Sequence, residues 1–367
     1  LFIFIFTGSV VVNSGVAAAR GAGLIRDTEI ENTIRAYATP LLKAAGLEVA
    51  AVKFHIVHDR ELNAFVADSQ NMVITTGLLK RSANAGQLIG VMAHEIGHIA
   101  GGHLVRLHGT LENAGTMAML SQILGVAVGV LARDPGAGFA VGAVGRHVTQ
   151  RTLLKFNRTQ ERSADQAGVN LLERTGQSAR GLQQFLGILL GQELLVTRRQ
   201  DPYVQTHPLT RDRIAFIRNH VAKSRFSNRE INPDFARRHR RMQAKLAGFL
   251  DPPARTLRTY KADDRSPLAR YARAIAFYRI PDLAQALPLI DGLIKESPRD
   301  PHFYDLKGQI LFENGRIAEA LVPLQTAVRL RPDAPLFRIS LASAQIETGD
   351  KNLIKPALRN LNHALRL

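Results

Sequence analysis

His94-Glu95-Ile96-Gly97-His98 is the stretch of this 367-residue chain that decides its fold and its chemistry. On a helix, two histidines four residues apart lie on one face, so both rings can reach the same metal ion. Glu95 directly follows the first histidine and can take a proton from a water molecule that such an ion activates. The pattern therefore predicts a helix that carries a metal site of the hydrolytic type. The alternative is a helix with two unrelated histidines and a surface glutamate.

The residues around this motif favour a helix from Asn84 to Leu107. Asn84 and Gln87 have the spacing of a helix cap, because their side chains can serve the free amides of the first turn. An apolar side for burial is supplied by Leu88, Val91, Met92, Ile96 and Ile99. The motif thus stands in the middle of the predicted helix.

A zinc hydrolase usually binds its metal through three protein ligands and leaves one position for water. His103 stands five residues after His98, which turns it away from the metal on a continuous helix, so it is a poor third ligand. Glu161 is the better one, and Asp165 follows one helical turn later on the same face. Asp165 can accept the free ring N–H of a ligand histidine and so hold its tautomer. The alternative for Glu161 is an ordinary solvated carboxylate.

Two motifs together, His94–His98 and Glu161-x-x-Ala164-Asp165, resemble those of the M48 zinc metallopeptidases. The resemblance covers residues 25–367 and is strongest to periplasmic members that join the peptidase domain to a tetratricopeptide array. It implies an α+β, mostly helical fold, in which a gluzincin-type peptidase domain precedes an all-α solenoid. It also implies a metalloendopeptidase with one zinc ion per chain.

The same resemblance implies roles for single residues. The implied zinc ligands are His94, His98 and Glu161, and the implied catalytic residues are Glu95 and Asp165. The segment Thr206–Ile214 also matches the family, and its histidine is similar to one that can approach the zinc from the open side and restrain activity. His207 is therefore a candidate regulatory fourth ligand, or else a loop histidine before a helix-starting proline.

Two short runs before the motif helix, Val52–Val57 and Met72–Thr75, predict β-strands. In zinc peptidases an edge strand above the motif helix pairs with extended substrate by strand addition, which reads the substrate backbone. By analogy with the family, we expect Asn63, Ala64 and Phe65 to form this substrate edge strand. An ordinary hairpin is the alternative and is compatible with that role.

The segment Leu1–Ala19 contains no charged residue and ends in three alanines. This composition predicts a secretory signal peptide, and the missing basic n-region predicts that it is truncated at its start. An uncleaved membrane anchor is the alternative. Because the chain has no cysteine, a lipid anchor on cysteine and any disulfide are excluded. We therefore expect export to the periplasm and leave membrane association open.

A second apolar stretch covers residues 113–145. It is long enough to cross a bilayer, but its polar residues and glycines make it only modestly hydrophobic. We favour a helical hairpin that is buried or touches a membrane over a spanning helix.

Residues 265–367 contain an internal repeat. Positions 34 residues apart carry the same residue types: Pro267, Pro301 and Pro335, and the small residues Ala274, Gly308 and Ala342. A period of this length, with small residues where two helices cross, is typical of tetratricopeptide units. Such units stack into a solenoid whose concave face suits peptide or protein partners. The third unit departs from the pattern at Ile354, where Ala286 and Ala320 predict a small residue.

The formal net charge is +17, and residues 197–260 hold fifteen lysines and arginines against five acidic residues. Because no nucleic-acid motif accompanies this basic stretch, we expect no nucleic-acid partner. An anionic membrane surface, an acidic partner or a solvated connecting helix are the remaining interpretations. The sequence thus divides into a signal peptide (1–19), an M48 zinc metallopeptidase domain (25–225), a basic connector (226–264) and a tetratricopeptide repeat domain (265–367).

The function that the resemblance implies is quality control of outer-membrane proteins in the periplasm. Its implied partners are unfolded or stalled outer-membrane β-barrel proteins, with the outer-membrane assembly machinery as a further partner of the tetratricopeptide groove. A scaffold or chaperone whose zinc site is blocked by His207 is the alternative from another class, although such a protein has no use for Glu95. A third interpretation is an inner-membrane M48 protease anchored by Leu1–Val12.

Overall fold

The computed structural model describes residues 3–4, 23–67, 70–103, 146–193 and 207–367. Contacts divide the chain into two units, which we call the sheet unit and the repeat unit. The sheet unit consists of Phe4–Ile25 and Thr33–His239, and the repeat unit of Leu1–Ile3, Arg26–Asn32 and Arg240–Leu367.

The described strands are β1 (Ile3–Phe4), β2 (Leu24–Arg26), β3 (Lys53–Val57), β4 (Ala64–Val66) and β5 (Asn71–Thr75). They form one sheet in the order β1-β2-β3-β5-β4. β3 and β5 pair in parallel, with Lys53 opposite Asn71. β5 and β4 pair antiparallel, with Phe65 opposite Val73. β4 therefore lies at one edge of the sheet.

Both strands that the sequence predicts before the motif helix are present, with ends shifted by one residue. β3 begins at Lys53 and β5 at Asn71, whereas Val52 is buried just before the first strand. The segment between them forms β4, which is a hairpin partner of β5 and an edge strand at the same time.

The described helices up to residue 250 are α1 (Thr28–Ala44), α2 (Thr76–Arg81), α3 (Ala85–Ala100), α4 (Arg146–Arg174), α5 (Arg180–Glu193), α6 (Arg211–Lys223) and α7 (Pro233–Leu250).

α3 is the helix that carries the first motif. Its start is confirmed, because the Asn84 side chain accepts a hydrogen bond from the Gln87 amide at 3.1 Å. Its predicted end at Leu107 is wrong. The helix ends at Ala100, and Gly102 then adopts a left-handed backbone with φ +57°, which does not continue a helix.

α3 and α4 approach each other closely enough that side chains are excluded between their backbones. A Cβ added to Gly97 would lie 2.7 Å from the carbonyl oxygen of Ala164, and one added to Gly168 would lie 3.1 Å from the amide nitrogen of His94. This close approach brings the second motif, on α4, against the first motif on α3.

The repeat unit continues with helices that follow one another in pairs. They are α8 (Pro253–Thr259), α9 (Pro267–Arg279), α10 (Leu283–Glu296), α11 (Pro301–Glu313), α12 (Ile317–Leu330), α13 (Pro335–Glu347) and α14 (Lys351–Arg366). From α9 onwards, corresponding helices begin 34 residues apart. The region is all-α and consistent with the expected solenoid, while its assignment to the tetratricopeptide class stays a prediction from the period.

The small residues of the repeat lie where helices pack. Ala274 and Ala342 are fully buried, and a Cβ added to Gly308 would lie 2.4 Å from Leu324. Ile354, the exception noted in the sequence, is 47% exposed on α14, whereas Ala320 at the equivalent position of the previous pair is buried. The larger side chain is tolerated because it faces solvent.

The basic stretch is densest at Arg237–Arg241 on α7, and this run is only partly exposed to solvent. Arg237 and Arg238 both pair with Asp234. His239 is 1% exposed and donates from Nε2 to the carbonyl oxygen of Ser82 at 3.0 Å. The run thus combines exposed arginines with one buried histidine, and its role as a connecting helix stays a prediction.

A buried ionic cluster lies in the repeat unit at the first turn of α1. Nζ of Lys245 lies 2.7 Å from Oδ2 of Asp27 and 3.1 Å from Oε2 of Glu29. Tyr271 donates its hydroxyl to Oε2 of Glu29 at 2.8 Å, and Arg241 pairs with the other oxygen of that carboxylate. Removing one member of such a buried cluster destabilises the fold, because its partners are left with an uncompensated charge.

Among the residues that the structure describes, no helix combines the length and the apolarity needed to cross a bilayer. The apolar stretch 113–145 and all of the uncharged segment 1–19 except Ile3–Phe4 lie outside the described residues, so the predictions made for them are not tested.

Candidate metal centre

Three segments of the sheet unit meet around one buried cluster. α3 contributes His94, Glu95 and His98, α4 contributes Glu161 and Asp165, and the residues just before α6 contribute His207. All six side chains are buried except that of His98, which is 14% exposed. The two sequence motifs and the third, histidine-containing motif are thus brought together by the packing of α3, α4 and α6.

The donor atoms of four of these residues converge. Nε2 of His98 lies 3.1 Å from Nε2 of His94 and 3.2 Å from Oε1 of Glu161. Nδ1 of His207 lies 3.0 Å from the same oxygen of Glu161 and 3.4 Å from Nε2 of His94. One donor atom from each of the four lies within 4.8 Å of the others, so the cluster can hold a metal ion.

The chemistry of the donor set fits a metal. Three imidazole nitrogens and one carboxylate oxygen are ligands that zinc binds in a tetrahedron at about 2 Å. Burial lowers the pKa of His98 to about 3, so its ring is neutral and can offer a lone pair. Burial also lowers the pKa of His94, but Glu161 and Asp165 outweigh it and raise that pKa to about 10. A metal ion entering the cluster would therefore displace a proton from His94.

Glu95 lies on α3 beside this cluster. Its side chain is fully buried, and among the described residues neither carboxylate oxygen has a hydrogen-bond partner. Nε2 of His207 lies 3.5 Å from Oε1 of Glu95. Burial raises the pKa of Glu95. A buried carboxylate whose oxygens are free and whose pKa is raised is suited to accept and return a proton.

Asp165 faces the far side of a candidate ligand. Its Oδ1 lies 2.9 Å from Nδ1 of His94, whose Nε2 faces the cluster. A carboxylate at this nitrogen favours the tautomer that leaves Nε2 free for a metal. The role of Asp165 in holding this tautomer stays a prediction.

Arg213 is a member of the site for which the sequence suggested no role. It is 1% exposed, and Nη1 lies 2.7 Å from Oε2 of Glu161. Nη1 also donates to the carbonyl oxygen of Pro208 at 3.0 Å. Burial opposes ionisation of Glu161, but His207 and Arg213 hold its pKa well below the usual range. The sequence could have pointed to Arg213 because it belongs to the family-like segment Thr206–Ile214. That segment does not show which residues Arg213 contacts.

His103 is not a member of the four-residue cluster. It nevertheless lies at the site, because its Nδ1 is 3.0 Å from Nδ1 of His98. The sequence analysis missed this contact because it assumed that α3 continues past Gly101.

The expected substrate strand lies beside the motif helix. Ala64 and Phe65 belong to β4, which contacts α3, and Asn63 immediately precedes that strand. Asn63 is bound to β5 through its carbonyl oxygen, which accepts from the Thr75 amide at 3.0 Å. The strand order puts β4 at the end of the described sheet, so its outer edge can accept a further strand.

Residues 25–221 match the sequence profile of "Peptidase family M48", which covers more than half of the chain. The chain therefore belongs to the M48 peptidases and is a metalloendopeptidase.

Similar proteins carry related names. Over 345 residues the chain is 26% identical to the "Beta-barrel assembly-enhancing protease" of Yersinia pestis, covering 89% of this chain and 67% of that protein. Over 335 residues it is 24% identical to the protein of the same name from Escherichia coli (strain K12), again covering 89% and 67%. It is 26% identical over 188 residues to "Metalloprotease YcaL" of Escherichia coli (strain K12), covering 50% of this chain and 69% of that protein.

Proposed function

We propose that this chain is a zinc-dependent endopeptidase of the periplasm that degrades misfolded or stalled outer-membrane β-barrel proteins and assists their assembly. The observation that carries the proposal is the convergence of four donor atoms beside a buried carboxylate whose oxygens have no hydrogen-bond partner among the described residues. The names of the relatives support the outer-membrane substrates.

In this proposal His94, His98 and Glu161 hold the zinc. Bound zinc would polarise the scissile carbonyl and make a water molecule more acidic. Glu95 accepts the proton of that water and later delivers it to the leaving amine. Asp165 keeps the imidazole of His94 in the tautomer that points Nε2 at the metal.

His207 acts as a gate in the same proposal. A tetrahedral zinc site with three protein ligands has one position for water, and a fourth protein ligand closes it. Nδ1 of His207 lies 3.4 Å from Nε2 of His94 and 3.0 Å from Glu161, which supports a closed state. Withdrawal of His207 would open the fourth position and admit water and substrate.

Substrate binding is assigned to β4. An extended segment that pairs with the outer edge of this strand would be recognised through its backbone, so many sequences would be accepted. Such tolerance suits an enzyme that acts on unfolded β-barrel precursors. The repeat unit is assigned to partner binding, with the outer-membrane assembly machinery as the partner of its groove.

Export to the periplasm through the leader 1–19 is part of the proposal. Fractionation with and without detergent tests it: release of the mature chain with periplasmic contents supports export in soluble form. Retention in the inner membrane until detergent is added would contradict that form and support the anchored protease.

The decisive experiment pairs zinc content with cleavage of an unfolded outer-membrane β-barrel precursor. We expect about one zinc per chain in the wild type, Glu95→Gln and His207→Ala. Glu95→Gln should abolish cleavage because the proton acceptor is gone, and His207→Ala should increase it because the gate is gone. His220→Ala is a matched control, since His220 lies on α6 beside Glu173 and outside the cluster.

A zinc-containing scaffold or chaperone is the second candidate function. The position of His207 within the four-residue cluster favours it, because a site with four protein ligands is typical of structural zinc. Bound zinc with no cleavage by the wild type or either variant would support this function and contradict the peptidase for that substrate.

A further inference from the structure

His103 contacts the candidate ligand His98 on the side away from the metal position. Nδ1 of His103 lies 3.0 Å from Nδ1 of His98, whereas Nε2 of His98 faces the cluster. The second ring nitrogen of His103, Nε2, lies 3.2 Å from Oγ of Ser163 on α4. His103 is 5% exposed and the His98 side chain 14%, so the contact between the two rings is largely shielded from water, whereas Ser163 is exposed.

The path of the backbone places His103 there. On a continuous helix, a residue five positions after His98 would point away from it. Because α3 ends at Ala100 and Gly102 is left-handed, the chain turns back towards the helix. A Cβ added to Gly101 would lie 2.3 Å from Nε2 of His103, so the ring packs directly against glycine backbone.

Only one arrangement of protons suits a metal at this site. If His98 binds through Nε2, its proton must be on Nδ1, and that N–H must be the donor to His103. Nδ1 of His103 is then the acceptor, and its own proton lies on Nε2, from which it donates to Ser163. Each of the two close contacts has one donor and one acceptor in this arrangement.

We propose that His103 is a positioning residue for His98, holding the tautomer and the ring orientation with which His98 binds the metal. His103 contacts Nδ1 of His98 as Asp165 contacts Nδ1 of His94, but it offers a neutral imidazole instead of a carboxylate. The two ligand histidines of one helix thus have different supporting partners. This inference rests on the proposed zinc function.

The test uses the full chain and measures the affinity for zinc by competition with a chromophoric chelator. His103→Leu removes the acceptor and should weaken zinc binding about 10–100-fold, as is usual when the partner of a ligand histidine is lost. His103→Asn should restore most of the affinity, because its Oδ1 occupies nearly the position of Nδ1 and can accept the same proton. His103→Gln is the matched comparison, since its amide reaches towards Ser163 instead and should bind as weakly as His103→Leu.

Absorption of the cobalt-substituted protein gives a second readout, since the visible bands report ligand geometry. We expect the His103→Leu spectrum to change and the His103→Asn spectrum to match the wild type. His55→Leu controls for the loss of a histidine from the sheet unit, because His55 lies on β3 and contacts Asn71. If His103→Leu does not fold, the comparison of the Asn and Gln variants decides the question.

The outcomes separate this inference from the proposed function. A wild-type chain that binds neither zinc nor cobalt would overturn both. Wild-type binding with equal affinity in His103→Leu would overturn the positioning role alone. Equal losses in the Asn and Gln variants would also overturn it, since they would show that the ring fills space and that its Nδ1 does not matter.

Discussion

Arg213 holds Asp165 by two hydrogen bonds, from Nε to Oδ2 at 2.6 Å and from Nη2 to Oδ1 at 2.9 Å. The same Oδ1 lies 2.9 Å from Nδ1 of His94. Burial opposes ionisation of Asp165, but Arg213 and His94 lower its pKa, so the carboxylate stays charged. Arg213 lies on α6, which begins shortly after His207. Its two hydrogen bonds therefore connect α6 to Asp165, the carboxylate that contacts the candidate ligand His94.

Removing this guanidinium should destabilise the metal-free protein strongly. Arg213→Ala removes the guanidinium that pairs with two buried carboxylates, Asp165 and Glu161, and leaves them beside the His94 imidazole. Breaking a buried ion pair by removing one partner typically costs about 3–5 kcal/mol. The free energy of unfolding in urea measures the effect. Arg162→Ala is the matched control, because Arg162 pairs with Asp212 on the surface and exposed pairs contribute about 0–1 kcal/mol. Equal losses in the two variants would contradict the role of burial.

The carboxylate of Asp165 beside His94 should strengthen the binding of zinc. Asp165→Asn keeps the size of the side chain but removes the negative charge beside Nδ1 of His94. We expect zinc to bind about 10–100-fold more weakly, because the tautomer and orientation of the ligand are no longer held. Chelator competition measures this. An unchanged affinity would show that packing alone orients His94.

The close approach of α3 and α4 predicts a steric effect at a residue that bears no functional group. Gly97→Ala puts a Cβ 2.7 Å from the carbonyl oxygen of Ala164 and must push the helices apart. Overpacking of this kind typically costs about 1–3 kcal/mol, and zinc affinity should fall as well because the ligands lie on both helices.

The control for that variant is a glycine on an exposed helix surface. Gly187 lies on α5 with no atom within 4 Å of an added Cβ. Gly187→Ala should stabilise the protein by about 0.4–1 kcal/mol, because it restricts the unfolded chain without strain. Thermal denaturation of both variants gives the comparison, and a stabilised Gly97→Ala would contradict the predicted clash.

The ionic cluster in the repeat unit predicts a loss of stability in acid. Burial raises the pKa of Glu29, but Arg241 and Lys245 outweigh it and hold that pKa well below its ordinary 4.5. A carboxylate with a lowered pKa contributes stability that is fully present above its unfolded pKa and is lost as the pH falls below it. The free energy of unfolding should therefore fall progressively below about pH 4.5.

Glu29→Gln tests that assignment. The variant should be less stable at neutral pH, because Lys245 and Arg241 lose a buried partner, and its stability should fall less steeply in acid. Glu319→Gln is the control, since Glu319 pairs with Arg316 on the surface. An acid slope that is the same in Glu29→Gln as in the wild type would contradict the prediction.

The features that the sequence predicts correctly are those encoded by neighbours along the chain. The histidine spacing places two rings on one helical face, Asn84 caps that helix, and the 34-residue period reappears as pairs of helices. The end of α3 was predicted wrongly, because an apolar pattern shows which face is buried but not where a Gly-Gly pair turns the chain.

By itself, the sequence determined the candidate metal ligands, the helix that carries the first motif and the repeat of the carboxyl-terminal region. Only the tertiary structure decided that Arg213 joins Asp165, from which it is 48 residues distant, and that His103 turns back onto His98. The reason is physical. Helical periodicity depends on residues within one or two turns of each other, whereas these contacts depend on how closely α3, α4 and α6 pack and on where the backbone turns between them.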